Sequence, residues 1–144
     1  MSGALAGLLE RLPQGPAARL LDAVARQEPG RSATAHTTFP PGHRVFDGHL
    51  PDEPIVPGVV VIEALAQTAA VALADPAGRA PIRGLLAGVA RIRFLRRVRP
   101  GERITLVATL ARRLGTAALF DVAASVDQEP VARGSITVGD LAGD

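Results

Sequence analysis

With 144 residues, of which 47% are apolar and 21% charged, the chain has the size and composition of one globular domain spanning 1–144. It contains no cysteine, which excludes disulfides, thiolate catalysis and cysteine-ligated zinc, and its three histidines show no metal-ligand spacing, so no bound metal is expected. The net charge is only +2 and four phenylalanines are the only aromatic residues, so nucleic-acid binding is not expected either.

The first elements are short. Apolar residues from Leu5 to Leu12 share one helical face until Pro13 interrupts the turn, and a second short apolar element surrounds Leu20 and Val24. The threonine-rich run 32–39 predicts a strand. A dense series of prolines then predicts a rigid, irregular loop: Pro40, Pro41, Pro51, Pro54 and Pro57.

Pro57 and Gly58 open an apolar, alanine-rich run over 59–74 that predicts a helix enclosed on most sides, ended by the residues 75–78. Because this run carries Glu63 and Gln67, it does not read as a membrane span. The N-terminus lacks the pattern of a signal peptide, so a cytoplasmic location is expected.

The remainder predicts strands in succession, over 86–98, 103–113, 117–126 and 131–138, with breaks that suit hairpin connections. One buried helix followed by a run of antiparallel strands predicts an α+β architecture in which the sheet wraps around the helix.

Three features between residues 46 and 67 fit acid–base chemistry at a carbonyl compound. His49 lies in a Gly/Pro-rich loop and can act as a general base, and the helix N-terminus at Gly58 can polarise a carbonyl oxygen. Glu63 is a carboxyl group on an apolar helix, where burial favours the neutral form that can donate a proton. Taken singly each feature has a structural explanation, since loop histidines are usually structural and Glu63 with Gln67 could mark a narrow solvent-facing stripe.

In order, the motifs are Gly48-His49-Leu50-Pro51, Pro54-Ile55, Pro57-Gly58-Val59 and Glu63-Ala64-Leu65-Ala66-Gln67. This series resembles the FabZ family of 3-hydroxyacyl-[acyl-carrier-protein] dehydratases, and the resemblance extends over nearly the whole chain. Glutamate at position 63 is similar to FabZ, whereas the related FabA-type isomerising dehydratases usually carry aspartate.

The resemblance implies a hot-dog fold and no cofactor. It also implies a homodimer, alone or assembled into a trimer of dimers, in which His49 of one subunit faces Glu63 of the other. It implies that His49 removes the C2 proton, that the Gly58 N–H binds the thioester carbonyl, and that Glu63 protonates the departing C3 hydroxyl. Val59 and Gln67 would help to bind the substrate, with helix packing as the alternative for Gln67. The acyl chain would lie in an apolar tunnel lined by Ile55, Val56, Val59, Ile62 and Leu85.

The expected partner is an acidic acyl carrier protein. An arginine-rich stretch could bind this acidic partner: Arg91, Arg93, Arg96, Arg97, Arg99 and Arg103. The alternative explanation is that these arginines only form a solvent-exposed strand face.

Several positions depart from the family pattern. Leu50 replaces a usual Phe, Arg44-Val45 stand in place of Pro-Phe, Leu85-Leu86 occupy a place that is often aromatic, and Gln14-Gly15 replace a typical His-Arg. These changes leave the acyl chain length open, together with the choice between fatty-acid and polyketide biosynthesis. The alternatives are a heterodimer with a related hot-dog subunit, a hot-dog thioesterase, and a non-catalytic acyl-binding subunit of a heterodimeric dehydratase.

Overall fold

The structure is a computed structural model that describes residues 5, 7–15, 17–48, 50, 52–78 and 85–139. Its long α-helix is α1 (Gly58–Leu73). The strands are β1 (Ala23–Glu28), β2 (Ser32–Thr38), β3 (Leu85–Phe94), β4 (Arg103–Leu114), β5 (Ala117–Val126) and β6 (Glu129–Gly139).

The strands form one antiparallel sheet in the order β1-β2-β4-β5-β6-β3, so that β1 and β3 are its edges. Helix α1 packs across the sheet, mainly against β4 and β2. This is the α+β, hot-dog arrangement predicted from the sequence, in which an antiparallel sheet wraps around a long helix.

Helix α1 is buried over most of its length, as its apolar composition predicts. Residues 64–72 are all buried, whereas Val59 in the first turn is 74% exposed. The C-terminal end of the helix is fixed by the β1–β2 hairpin, because Gln27 Nε2 donates to Val71 O and Ala74 O at 2.8 and 2.7 Å. These bonds reach carbonyl groups at the end of the helix, beyond its regular hydrogen-bond pattern; Val71 O also accepts from the N–H of Ala74 at 3.1 Å.

The boundaries differ from the predicted ones at several places. β1 was not predicted as a strand, and β3 ends at Phe94 rather than continuing to Val98. β6 already begins at Glu129, because the preceding turn is made by Asp127 and Gln128, whose φ angles of 48° and 69° suit a tight hairpin. No helix in the described part of the chain is long and apolar enough to cross a membrane.

Candidate active site

His49 and Pro51 lie outside the described residues, so the placement of His49 opposite Glu63 stays a prediction. The backbone on either side of His49 is unusual. Gly48 and Leu50 both have left-handed conformations, with φ angles of 69° and 45°. Leucine has a Cβ atom, so the left-handed backbone conformation of Leu50 is sterically unfavourable. Strained backbone conformations of this kind often occur in functional loops.

The N-terminus of α1 provides unpaired backbone donors. Pro57 is the N-cap, and its carbonyl accepts the first helical bonds, from Val60 N at 3.0 Å and Val61 N at 3.3 Å. The N–H of Gly58 forms no hydrogen bond within the described part of the chain. Such a donor, at the positive end of the helix dipole, can stabilise negative charge on a carbonyl oxygen.

The ring of Phe94 packs directly on Gly58. A Cβ atom at position 58 would lie 2.9 Å from the ring, so a larger residue would displace Phe94. Beside this contact is a mostly apolar cavity of about 190 Å³. It is lined by Ile55, Val56, Gly58, Val61, Phe94, Arg96, Arg97, Val98 and Val131.

The cavity agrees only in part with the predicted acyl tunnel. Ile55 and Val56 line it, whereas Val59, Ile62 and Leu85 are not among its lining residues. Val59 and Leu85 are instead exposed in the single chain. The substrate-binding role of Val59 therefore stays a prediction, which needs a surface beyond this cavity.

Glu63 lies on α1, and two side-chain amides donate to one of its oxygens. Gln67 Nε2 is 3.2 Å from Glu63 Oε1, and Gln14 Nε2 is 3.3 Å from the same atom. The carboxyl group is half-buried. The structure thus places Glu63 in a polar network at the junction of α1 and the N-terminal segment.

Gln67 is buried, with only 1% of its surface exposed, and forms further bonds to that segment. Its Oε1 accepts from Leu20 N at 2.9 Å, and its Nε2 also donates to Ala18 O at 3.0 Å. These contacts give Gln67 a structural role and orient its amide toward Glu63. Direct substrate binding by Gln67 stays a prediction.

Four of the six arginines in the arginine-rich stretch fall into two groups. Arg96 donates to both carboxylate oxygens of Glu102, at 3.1 and 2.6 Å, and its Nε lies 3.2 Å from Glu129 Oε1. The hydrogen bonds with Glu102 raise the pKa of Arg96 and lower the pKa of Glu102. Arg97 pairs with Glu53 at 2.9 Å.

The second group surrounds a groove on the sheet face opposite α1. Arg93 lies directly across from Arg133 in the β3–β6 pairing, and Arg91 lines the same groove. The groove has a volume of about 550 Å³ and also includes Asp121, Val122, Gly134 and Ser135. Arg91, Arg93 and Arg133 form no ion pair with a described residue. Arg99 is exposed and outside this groove.

Three residues with contacts at these sites were not predicted from the sequence as functional: Gln14, Glu102 and Arg133. Their roles depend on contacts between distant segments, and only the departure from the family pattern at position 14 pointed to any of them. No group of three or more potential metal ligands occurs in the described ranges.

Comparison with known proteins identifies the relatives of this chain. The model of the ApeI-like family, described as ApeI dehydratase, matches residues 25–135. The chain is 35% identical over 127 residues to the 3-hydroxyacyl-[acyl-carrier-protein] dehydratase FabZ of Listeria monocytogenes, covering 88% of each protein. It is 38% identical over 128 residues to FabZ of Ruminiclostridium cellulolyticum, covering 88% of this chain and 89% of the relative.

Solved structures support the fold. The dehydratase heterocomplex ApeI:P from Xenorhabdus doucetiae superposes with a TM-score of 0.72 at 19% identity, over 94% of this chain and 91% of that one. Cj0977, a virulence protein of Campylobacter jejuni, superposes with a TM-score of 0.72 at 13% identity, over 99% of this chain and 93% of that one. From the family match and the FabZ identities, the chain belongs to the family of ApeI- and FabZ-like dehydratases and is a hydro-lyase with a hot-dog fold.

Proposed function

We propose that this protein removes water from a 3-hydroxyacyl thioester carried on acyl carrier protein, giving the trans-2-enoyl thioester for fatty-acid biosynthesis. The observation that carries this proposal is the arrangement on α1. A carboxyl group held by two amides lies on the same helix as the unpaired N–H at Gly58, beside an apolar cavity. The FabZ relatives, which are named for this reaction, support the substrate class.

The chemistry follows from three groups. His49 accepts the proton from C2, and the negative charge that develops on the thioester oxygen is stabilised by the Gly58 N–H and the helix dipole. Glu63 in its acid form gives a proton to the C3 hydroxyl, so that the C–O bond breaks and water leaves. The C2 electron pair forms the new double bond, and one proton has moved to His49 while Glu63 becomes a carboxylate.

The proposal includes a dimer formed through β3, so that each site contains residues of two subunits. Three apolar residues of β3 lie opposite buried residues of β6 on the side of the sheet that faces α1. The pairs are Leu86 with Val138, Val89 with Ile136, and Phe94 with Ala132. The β3 residues on that side are nevertheless exposed, at 38–48%. An apolar edge strand with open backbone groups is unfavourable in a monomer and suits a second hot-dog subunit.

A related but non-identical partner is the alternative, because the ApeI:P neighbour is a heterocomplex. The same β3 surface would serve either partner. Sedimentation of the purified chain with and without co-expressed hot-dog proteins distinguishes a self-sufficient dimer from a subunit that requires another chain.

For the carrier protein we propose the groove formed by Arg91, Arg93 and Arg133 as the docking surface. Arginines directly opposite each other repel, and an acidic partner would relieve this repulsion. Arg96 and Arg97 are less suited, because Glu102, Glu129 and Glu53 already balance their charges.

Charge reversal tests this docking surface. Arg91→Glu with Arg93→Glu should raise the KM for acyl carrier protein substrates about tenfold or more, with activity on a short soluble thioester retained. The matched control is Arg112→Glu with Arg113→Glu, two exposed arginines elsewhere on the sheet. Equal effects of the two double variants would contradict docking in the groove.

The direct test of the function is incubation with 3-hydroxyacyl carrier proteins of several chain lengths, followed by mass spectrometry. We expect a product lighter by one water, and no turnover by a folded His49→Ala variant. Release of the free acid from the carrier would indicate a thioesterase instead. Binding without any change in substrate mass would indicate a non-catalytic acyl-binding subunit.

A further inference from the structure

We infer that Gln14 is a positioning residue for Glu63: together with Gln67 it fixes Glu63 Oε1 as a hydrogen-bond acceptor and leaves Oε2 to carry the transferred proton. This inference rests on the proposed catalytic role of Glu63. It adds a residue from the N-terminal segment to a site otherwise built from the His49 loop and α1.

The orientation of the Gln67 amide is set independently of Glu63. Its oxygen accepts from Leu20 N, so its nitrogen must be the atom that faces Glu63. An amide N–H donates and cannot accept, and the same holds for the Gln14 nitrogen on the other side. In the neutral acid, Glu63 Oε1 is therefore the carbonyl-type oxygen and the proton resides on Oε2.

Gln14 is brought to Glu63 by contacts of its own segment. Leu8 and Leu12 are buried in the core and anchor the chain before Gln14. After it, the Arg19 guanidinium donates to Gln14 O and to Glu10 O, both at 3.2 Å, and closes the segment on itself. The position of the Gln14 side chain is thus determined by a packed and hydrogen-bonded element.

The side-chain oxygen of Gln14 shows that placing this amide beside Glu63 costs stability. It is buried and has no hydrogen-bond partner among the described residues, which is unfavourable for a polar atom. The hydrogen bond from Gln14 Nε2 to Glu63 is the side-chain interaction in the described structure that compensates for it. A leucine would remove the unpaired acceptor, so the hydrogen bond to the carboxyl group best explains why a glutamine occupies this position.

The test is a double-mutant cycle between positions 14 and 63, assayed for dehydration at steady state with substrate in excess. Gln14→Leu removes the donor at similar volume. We expect kcat to fall about tenfold or more with KM nearly unchanged, because the lost hydrogen bond strengthens as Glu63 becomes a carboxylate during proton transfer. Because Gln14 acts through Glu63, the same change in a Glu63→Gln background should lower the rate less than about twofold.

Two further variants separate positioning from simple packing. Gln14→His introduces the residue typical of FabZ, which also carries an N–H donor, and should keep kcat within about threefold of the wild type. Gln27→Leu is the matched control, because Gln27 is also a glutamine with a buried, unpartnered oxygen but lies at the far end of α1. It should lower thermal stability and leave kcat unchanged.

The outcomes are distinct. If Glu63→Gln alone is nearly as active as the wild type, the catalytic role of Glu63 is wrong and the inference about Gln14 falls with it. If Glu63→Gln is severely impaired but Gln14→Leu lowers the rate by the same factor in both backgrounds, Gln14 is structural and only the inference is overturned. A folded Gln14→His variant as slow as Gln14→Leu would overturn it as well.

Discussion

His36 on β2 is a titratable residue outside the proposed site whose environment differs between the folded and unfolded chain. Its Nδ1 lies 3.2 Å from Thr105 Oγ1. Burial, and secondly the positive charge of Arg103, lower the pKa of His36 below its ordinary value of 6.5. The folded state therefore favours neutral His36, and the unfolded state binds the proton more readily.

This difference predicts a loss of stability in acid. The contribution of His36 is fully present above a pH of about 6.5 and is lost as the pH falls below that value toward the lowered pKa. The urea midpoint of the wild type should fall more steeply between about pH 7 and pH 5 than that of His36→Asn, which does not titrate. Parallel pH profiles would show that His36 has the same proton affinity in both states.

The sequence suggested candidate groups for the site but not the contacts that support them. Residue types and spacing selected Glu63 and Gly58, because a carboxyl group on an apolar helix and a helix start after proline are local patterns. Gln14 is separated from Glu63 by 49 positions. Its contact depends on how the N-terminal segment folds onto α1, which no local pattern encodes.

Among the elements, β3 is the most irregular strand, and Gly134 on β6 explains how it packs. Arg91 has a left-handed φ of 57°, and the pairing of β3 with β6 shifts between Ala90 and Arg93. A Cβ at Gly134 would lie 2.7 Å from Ile92 Cα and 2.8 Å from Arg91 O. The bulge therefore needs glycine at this position, and it places Arg91 at the cationic groove.

We expect Gly134→Ala to destabilise the fold by about 1–3 kcal/mol, because backbone atoms of β3 would have to move. Gly88→Ala is the matched control in the same pair of strands, since a Cβ there would meet Thr137 at an ordinary 3.7 Å. Denaturant unfolding of both variants measures the difference. Equal destabilisation would contradict the close approach at Gly134.

The secondary structure was predictable where alternation or length was clear. In β5, residues from Ala118 to Val126 alternate between buried and more exposed positions, as the sequence indicates. β1 was missed because it is an edge strand in which three of six residues are exposed and only Val24 is buried, so it shows no apolar alternation. The end of β3 was misplaced because both faces of this strand are largely exposed in the single chain.

At the scale of the whole molecule, the exposed apolar side of β3 predicts association. Val89→Arg places a charge on the side of the strand that faces α1, and we expect a monomer with little or no dehydratase activity. Ala90→Arg is the control on the opposite side of the same strand, across from Ser135 of the arginine groove, and should remain associated and active on a short soluble thioester. Light scattering after size-exclusion chromatography measures the mass of each, and a dimeric Val89→Arg protein would contradict the proposed interface.

The fold was predictable from the sequence as an antiparallel sheet around one helix, but the assembly was inferred only from family resemblance. A single chain leaves β3, Val59 and the first turn of α1 partly uncovered, and the acid–base pair requires His49 to meet Glu63. A site shared between subunits would explain both features.

Subunit complementation tests this account most directly. His49→Ala and Glu63→Gln proteins, each inactive alone, are unfolded together, refolded as mixed dimers and assayed with a 3-hydroxyacyl carrier protein. If the two residues come from different subunits, each mixed dimer contains one intact site, and substantial enoyl product should form. If mixing restores no activity although mixed dimers are present, His49 and Glu63 do not form a shared site, and the central claim is contradicted.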